Sequence, residues 1–175
     1  MYYGDGTGVH ACGKLFRKSV LIQHPYPIGK LYEETFATPK HVLAAEKIAM
    51  VTKATYNYYR RAGSITTSSF TAKQLDFFEA IEENEQSVIP LFPNHPQILK
   101  ALQYRQAIYG IALLDKMYES HEYELYRRYR KEIGKLYRTV LFNKKGSRVD
   151  KIRYLLFLIS PKLYNIVKNW YQKTN

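Results

Sequence analysis

Apolar residues recur at helical spacing almost without interruption along the second half of the chain. Pro96 suits the first turn of a helix, because its missing N–H would have no partner there. The apolar positions of that predicted helix are Ile98, Leu102, Ile108, Ile111, Leu113 and Leu114. The apolar positions of a second predicted helix are Tyr126, Ile133, Tyr137 and Val140. This half of the chain is therefore predicted to be helical.

Two further helices are predicted from the residues that begin them. Ser147-x-x-Asp150 is typical of a helix N-terminus, and Ser160-Pro161 combines an N-cap with a proline at the first helical position. Arg and Lys flank the apolar residues of both helices, and Trp170 lies in the second. This composition suits either packing within the domain or burial in a membrane interface.

The first half of the chain is less regular. Residues 1–30 are predicted to form loops around short extended segments, one of them the apolar stretch Val20–Ile22. Within 33–49 the apolar spacing predicts a helix that begins at Pro39. The segment that follows, 48–59, is rich in Val, Thr and Tyr and is predicted to be a strand.

Prolines mark the best domain boundary. Thr71-x-x-Gln74 predicts a capping box that opens a helix, and this helix ends before Pro90. Because Pro93 and Pro96 follow at once, the chain is predicted to divide near Asn94 into residues 1–94 and 95–175. The expected fold class is α+β and mostly helical, with a small strand-containing segment followed by a helical subdomain.

Composition adds a strong asymmetry of charge. The chain has 175 residues, 46% of them hydrophobic, and a net charge of +12. Residues 1–94 contribute +1 and residues 95–175 contribute +11, from 17 Lys and Arg against 6 Asp and Glu. The second part is therefore expected to face an anionic surface. No apolar stretch approaches the roughly 18 residues of a spanning helix, so a soluble or peripheral protein is expected.

Cysteine and histidine suggest no further chemistry. Cys12 is the only cysteine, which rules out an internal disulfide, and it is expected to be a small buried hydrophobic residue. The five histidines show no pair at metal-binding spacing, so no metal site is predicted.

Three motifs in the first half carry a resemblance to a known family. They are Ala11-Cys12-Gly13-Lys14-Leu15-Phe16, Gly29-Lys30-Leu31-Tyr32-Glu33-Glu34, and the ten residues from Tyr56 to Ile65. In this order and at these separations they resemble the second half of family 2 glycosyltransferases, the GT-A-fold enzymes that build bacterial capsule and cell-wall polysaccharides. The resemblance covers about residues 9–70.

The resemblance implies a part of a larger enzyme. The family's N-terminal half carries an Asp-x-Asp motif that holds a divalent cation, manganese or magnesium, and the nucleotide-sugar diphosphate. This chain has four Asp residues and no Asp-x-Asp. We therefore expect a C-terminal portion that is inactive alone, that requires the cation only in the complete enzyme, and that resembles the GT-A catalytic domain over 1–94.

The resemblance also implies site residues. Glu34 matches the position of the family's catalytic base, where an Asp is usual, and Glu33 is expected to lie beside it. Arg61 and Ser64 match the family's recurring Arg and Ser in a loop that is expected to contact the diphosphate. Arg60 lies in the same loop, and Lys14 matches a position on the acceptor side. A carboxylate base and a cation are what glycosyl transfer needs, one for the acceptor proton and one for the departing diphosphate. A surface turn and an ordinary acidic helix start remain the structural alternatives.

The expected partners follow from these assignments. They are a nucleotide-sugar donor, a glycan or lipid-linked acceptor and an acidic membrane surface, with homo-oligomerisation also open. The expected location is cytoplasmic, with possible attachment to the inner face of the cell membrane. The alternative function is a basic, aromatic-rich helical module that binds nucleic acid or an acidic membrane. Nucleic acid is less favoured, because no helix-turn-helix or RNP motif is present.

Overall fold

The computed structural model of the protein describes residues 2–3, 8–54, 56–57, 59 and 68–174, with side chains described as far as residue 168. These residues are mostly helical, and no strand occurs among them. The chain forms two compact units, Met1–Leu99 and Lys100–Asn175. The boundary expected from the prolines, near Asn94, lies shortly before this division.

The first unit is built around two helices of equal length. Its helices are α1 (Lys18–Gln23), α2 (Glu33–Ala44) and α3 (Asp76–Ser87), with short 3₁₀ turns at Ala72–Leu75 and Ile89–Leu91. α2 packs on both α1 and α3. The buried apolar residues of α2 and α3 are Phe36, Ala37, Phe77, Phe78, Ala80 and Ile81. The predicted capping box is confirmed, since Gln74 Oε1 accepts from the Thr71 amide at 3.3 Å, and it opens the 3₁₀ turn ahead of α3.

Two predicted extended segments are not found in the first unit. Val20–Ile22 lies in α1, where the Val20 carbonyl accepts from the His24 amide at 2.9 Å. The described residues of 48–59 are irregular, and Met50 and Val51 are exposed. No strand lies beside either segment among the described residues. Without a partner strand to bond their backbone groups, residues of high β propensity do not form a stable strand.

Pro39 lies inside α2, so the prediction that the helix begins at this proline is wrong. A proline has no amide proton, and the carbonyl four residues earlier loses its helical partner. That carbonyl belongs to Thr35, and it accepts from the side-chain amide of Asn84 at 2.8 Å. Asn84, buried on α3, also donates to the Ala80 carbonyl at 2.7 Å. A side chain from the neighbouring helix therefore replaces the missing backbone donor.

The second unit contains most of α4 (Pro96–Glu119) and the four helices that follow it. These are α5 (Tyr123–Lys135), α6 (Tyr137–Leu141), α7 (Arg148–Ile159) and α8 (Pro161–Thr174). The predicted starts are confirmed: prolines open α4 and α8, and Ser147 Oγ accepts from the Asp150 amide at 3.0 Å. The helix predicted across Tyr126–Val140 is interrupted at Leu136, because its amide bonds to the Ile133 carbonyl three residues back.

Tyr104 connects α4 to the start of α7. Its hydroxyl donates to Asp150 Oδ2 at 2.8 Å and accepts from the Ser147 amide at 3.2 Å. Burial, followed by the bond to the Asp150 carboxylate, raises the pKa of Tyr104 to about 12. Gly146 lies against the same ring, and a Cβ there would come within 2.7 Å of Tyr104 Cε2. Only glycine therefore fits this turn without displacing Tyr104.

An apolar surface remains uncovered on α7 and α8. Tyr154 and Phe157 of α7 and Tyr164 of α8 are buried on the opposite side of their helices. The exposed apolar residues form what we call the α7–α8 apolar face: Val149, Ile152, Leu155, Ile159, Leu163, Ile166 and Val167. Within the described part of the chain, the helices are too short or too polar for any of them to cross a membrane.

Candidate functional site

Glu33 and Glu34 form the first turn of α2. The helix begins after Tyr32, which adopts a left-handed conformation with φ of 58°, and the Thr35 amide donates to its carbonyl at 2.7 Å. The Tyr32 ring meets the buried Phe77 edge-on, with ring centroids 5.6 Å apart. Carboxylates in a first turn interact favourably with the positive end of the helix dipole. The positions of both glutamates at the start of α2 are thus defined by the turn at Tyr32 and by its packing on Phe77.

The segment that carries Lys14 is attached to the same helix. Thr38 Oγ1 donates to the carbonyl of the fully buried Val9 at 2.8 Å. Gly13 then turns the chain with a φ of +69°, a value that a side chain rarely allows. Lys14 Nζ donates to the His10 carbonyl within this turn. The segment that carries Lys14 is therefore attached to α2 through Thr38.

Lys14 and Glu34 share one electrostatic environment. Burial lowers the pKa of Lys14, and negative charge at Cys12 and Glu34 opposes that shift. The two residues are twenty positions apart in the sequence, and the bond from Thr38 to Val9 attaches the segment before Lys14 to the helix that carries Glu34. The charge of Glu34 thus acts on the Lys14 ammonium.

Tyr26 completes the group, and sequence analysis missed it. Burial raises the pKa of Tyr26, a hydrogen bond with the Thr38 side chain lowers it, and the charges of Glu34 and Glu33 raise it further. Its only sequence signal is a position between two prolines, Pro25 and Pro27, which predicts a restricted loop and no chemistry. We refer to Lys14, Tyr26 and Glu34 as the Glu34 cluster.

His41 supports this cluster from the interior. Its Nε2 lies 2.6 Å from the His24 carbonyl, and because a carbonyl only accepts, Nε2 carries the proton. The ring contacts Phe16 with centroids 4.8 Å apart and Tyr26 edge-on at 5.2 Å. Only 1% of the residue is exposed. His41 thus links the end of α1 and the Tyr26 loop to α2.

The remaining predicted residues divide into two groups. Arg60, Arg61 and Ser64 lie outside the described residues. Cys12 is exposed, so its prediction as a buried residue is wrong; it occupies the tip of the turn that Gly13 makes possible, where no core can form around it.

Metal ligands are not assembled in the part of the chain that the structure describes: no three His, Cys, Asp or Glu side chains there could hold an ion together. The chain was also compared with known proteins. No family model matches it, and no match was found among curated proteins or solved structures.

Proposed function

We propose that the chain is the C-terminal part of a family 2 glycosyltransferase that transfers a sugar from a nucleotide-sugar to a glycan or lipid-linked acceptor in polysaccharide biosynthesis. The observation that carries the proposal is the Glu34 cluster. The charge of Glu34, at the start of α2, acts on the Lys14 ammonium and on the Tyr26 phenol, which come from two other segments of the first unit. The motif resemblance assigns Glu34 to the catalytic base of such an enzyme and Lys14 to its acceptor side.

In this proposal Glu34 is the general base. Its carboxylate takes the proton of the acceptor hydroxyl while the oxygen attacks the anomeric carbon, and the bond from that carbon to the donor diphosphate breaks. The electron pair leaves with the diphosphate, and the proton ends on Glu34. Glu33 lies beside the base, and Lys14 and Tyr26 orient the acceptor through hydrogen bonds.

The diphosphate side of the reaction belongs to other residues. Arg60, Arg61 and Ser64 are proposed for it on the resemblance alone. The described side chains supply no ligand set for the family's divalent cation, so no step is assigned to a metal here. We propose that a half bearing Asp-x-Asp completes the enzyme. The strand-containing GT-A segment expected over 1–94 belongs to that complete catalytic domain.

The test is the turnover of the complete enzyme with Glu34→Gln. This change keeps the shape and removes the base, so turnover should fall about 100-fold or more while donor binding stays the same. Glu34→Asp, which restores the residue usual in the family, should retain most of the rate. Glu85→Gln is the matched control on the exposed side of α3 and should stay within about two-fold of the wild type. A rate for Glu34→Gln above half of the wild-type rate would assign the base to another residue.

A further inference from the structure

The α7–α8 apolar face carries seven exposed aliphatic side chains. Ile159 and Ile166 are 70% and 66% exposed, and five further aliphatic residues of these consecutive helices are also exposed. Contiguous apolar patches on a protein surface usually mark a binding site. Both helices are anchored from their other side, so the face is not a consequence of loose packing.

The anchoring contacts are specific. Arg153 Nη2 of α7 donates to the Tyr164 hydroxyl of α8 at 3.3 Å. Lys168 Nζ of α8 bonds to Asp115 and, at 3.2 Å, to Glu119, both on α4. These contacts use the polar groups on the inner side of the helices and leave the aliphatic residues outward.

Within residues 144–168 the exposed charged side chains are all cations. From residue 148 to residue 174 the chain has six Lys and Arg and a single acidic residue, Asp150. Asp150 is already bonded to the Tyr104 hydroxyl and lies 3.8 Å from Arg153. Arg148 and Lys162 are exposed near the helix starts, and Lys144 and Lys145 are exposed in the turn before α7. An occupant of this face must therefore be apolar and must carry negative charge at its rim.

We propose that the α7–α8 apolar face docks on an anionic lipid bilayer, with its aliphatic residues in the acyl boundary and the surrounding cations at the headgroups. Helices of this composition lie in the plane of the interface. Nucleic acid would pair with the cations but would not bury the seven aliphatic residues, because protein interfaces with nucleic acid are polar. A second copy of the chain would bring another net charge of +12 against the first. This proposal does not depend on transferase activity.

The test is co-sedimentation of the full chain with vesicles of phosphatidylcholine containing 30% phosphatidylglycerol. We expect binding to these vesicles, little binding to pure phosphatidylcholine, and weaker binding as salt increases. Trp170 is the only tryptophan and belongs to α8, so a blue shift of its emission should accompany binding.

Paired variants separate the apolar and charged contributions. Ile159→Asn with Ile166→Asn should lower the partition coefficient at least ten-fold. The control pair, Ile22→Asn with Met50→Asn, changes residues of the same exposed fractions, 70% and 66%, in the first unit and should leave it unchanged. Arg148→Gln and Lys162→Gln should each weaken binding about five-fold. Circular dichroism identical to the wild type will show that each variant is folded.

Three results would overturn the proposal. The first is equal binding of the Ile159→Asn/Ile166→Asn and Ile22→Asn/Met50→Asn pairs to anionic vesicles. The second is displacement of the chain from the vesicles by duplex DNA or structured RNA at equal charge concentration, with Trp170 emission unmoved. The third is a dimer in light scattering that the Ile159→Asn/Ile166→Asn pair alone dissociates. A failure of Glu34→Gln to affect turnover would leave the membrane proposal intact.

Discussion

Tyr104 shows how one polar atom can serve several segments at once. Its hydroxyl accepts from the backbone before α7 and donates to a carboxylate within it. The ring itself is buried, so the hydroxyl reaches these partners from the core. Removing the hydroxyl takes away a hydrogen-bond donor from the half-buried Asp150 carboxylate and an acceptor from the Ser147 amide.

We predict that Tyr104→Phe will lower the free energy of unfolding by about 1–3 kcal/mol at neutral pH. The pKa of Tyr104 in the folded protein is raised from its usual 10.0 to about 12. A raised pKa means that its stabilising effect is fully present below pH 10 and is lost as the pH rises towards 12. The difference between wild type and Tyr104→Phe in urea unfolding should therefore shrink across that interval.

The control for this measurement is Tyr137→Phe, which removes the hydroxyl of an exposed tyrosine in the same unit. Its effect at neutral pH should be a few tenths of a kcal/mol, because water can take over its contacts. A difference for Tyr104→Phe that stays constant from pH 9 to pH 12 would contradict the assigned role of the Asp150 bond.

At the scale of elements, a side chain of α3 completes the backbone hydrogen bonding of α2. Pro39 removes one amide from the α2 ladder, and the Asn84 side chain of α3 occupies the carbonyl that this amide would have reached. Asn84 and Thr35 are 49 positions apart in the sequence, so the local pattern around Pro39 gave no sign of this bond and the helix was predicted to begin at the proline. In α2 a contact between distant segments compensates for the internal proline.

We predict that Asn84→Ala will destabilise the protein by about 1–3 kcal/mol, and that it will cost less when Pro39→Ala is also present. The alanine restores an amide that can bond to Thr35, so the two changes should be coupled by at least about 0.5 kcal/mol. Urea unfolding of the four proteins in the cycle measures this coupling. Additive effects would show that Asn84 acts through packing alone.

Signals for helix capping predicted four helix starts correctly, whereas the β propensity of 48–59 predicted a strand that the described residues do not form. The Thr71/Gln74 capping box, the Ser147 cap and the prolines that open α4 and α8 depend on residues three or four positions apart, and all are confirmed. The Glu34 cluster was only partly predictable. Glu34 and Lys14 came from motif resemblance, whereas Tyr26 reaches the cluster through contacts with Thr38 and His41 that no spacing reveals.

At the scale of the whole molecule, charge separates the two parts of the chain. The +11 of residues 95–175 is expected to set its response to salt and anionic surfaces, while the near-neutral residues 1–94 carry the Glu34 cluster. If the proposed function is correct, neither part contains the Asp-x-Asp motif that binds the nucleotide diphosphate through a cation.

We therefore predict that the 175-residue chain alone will show no metal-dependent binding of nucleotide-sugars. Calorimetry with UDP- and GDP-sugars, with and without manganese, provides the measurement. Specific binding would saturate and would require the ion. Weak, salt-sensitive heats that are the same with and without manganese are expected from the net positive charge. Saturable binding that requires manganese would refute the proposal that the active enzyme needs a second half.

The bond from Asn84 to Thr35 also has a consequence for how the first unit folds. The carbonyl left by Pro39 finds this donor only when α3 is already in place, so residues 33–44 alone lack one of the bonds that complete their helix. The two helices should consequently open and close together as one cooperative unit. In native-state hydrogen exchange, their slowest amides would share a single opening free energy.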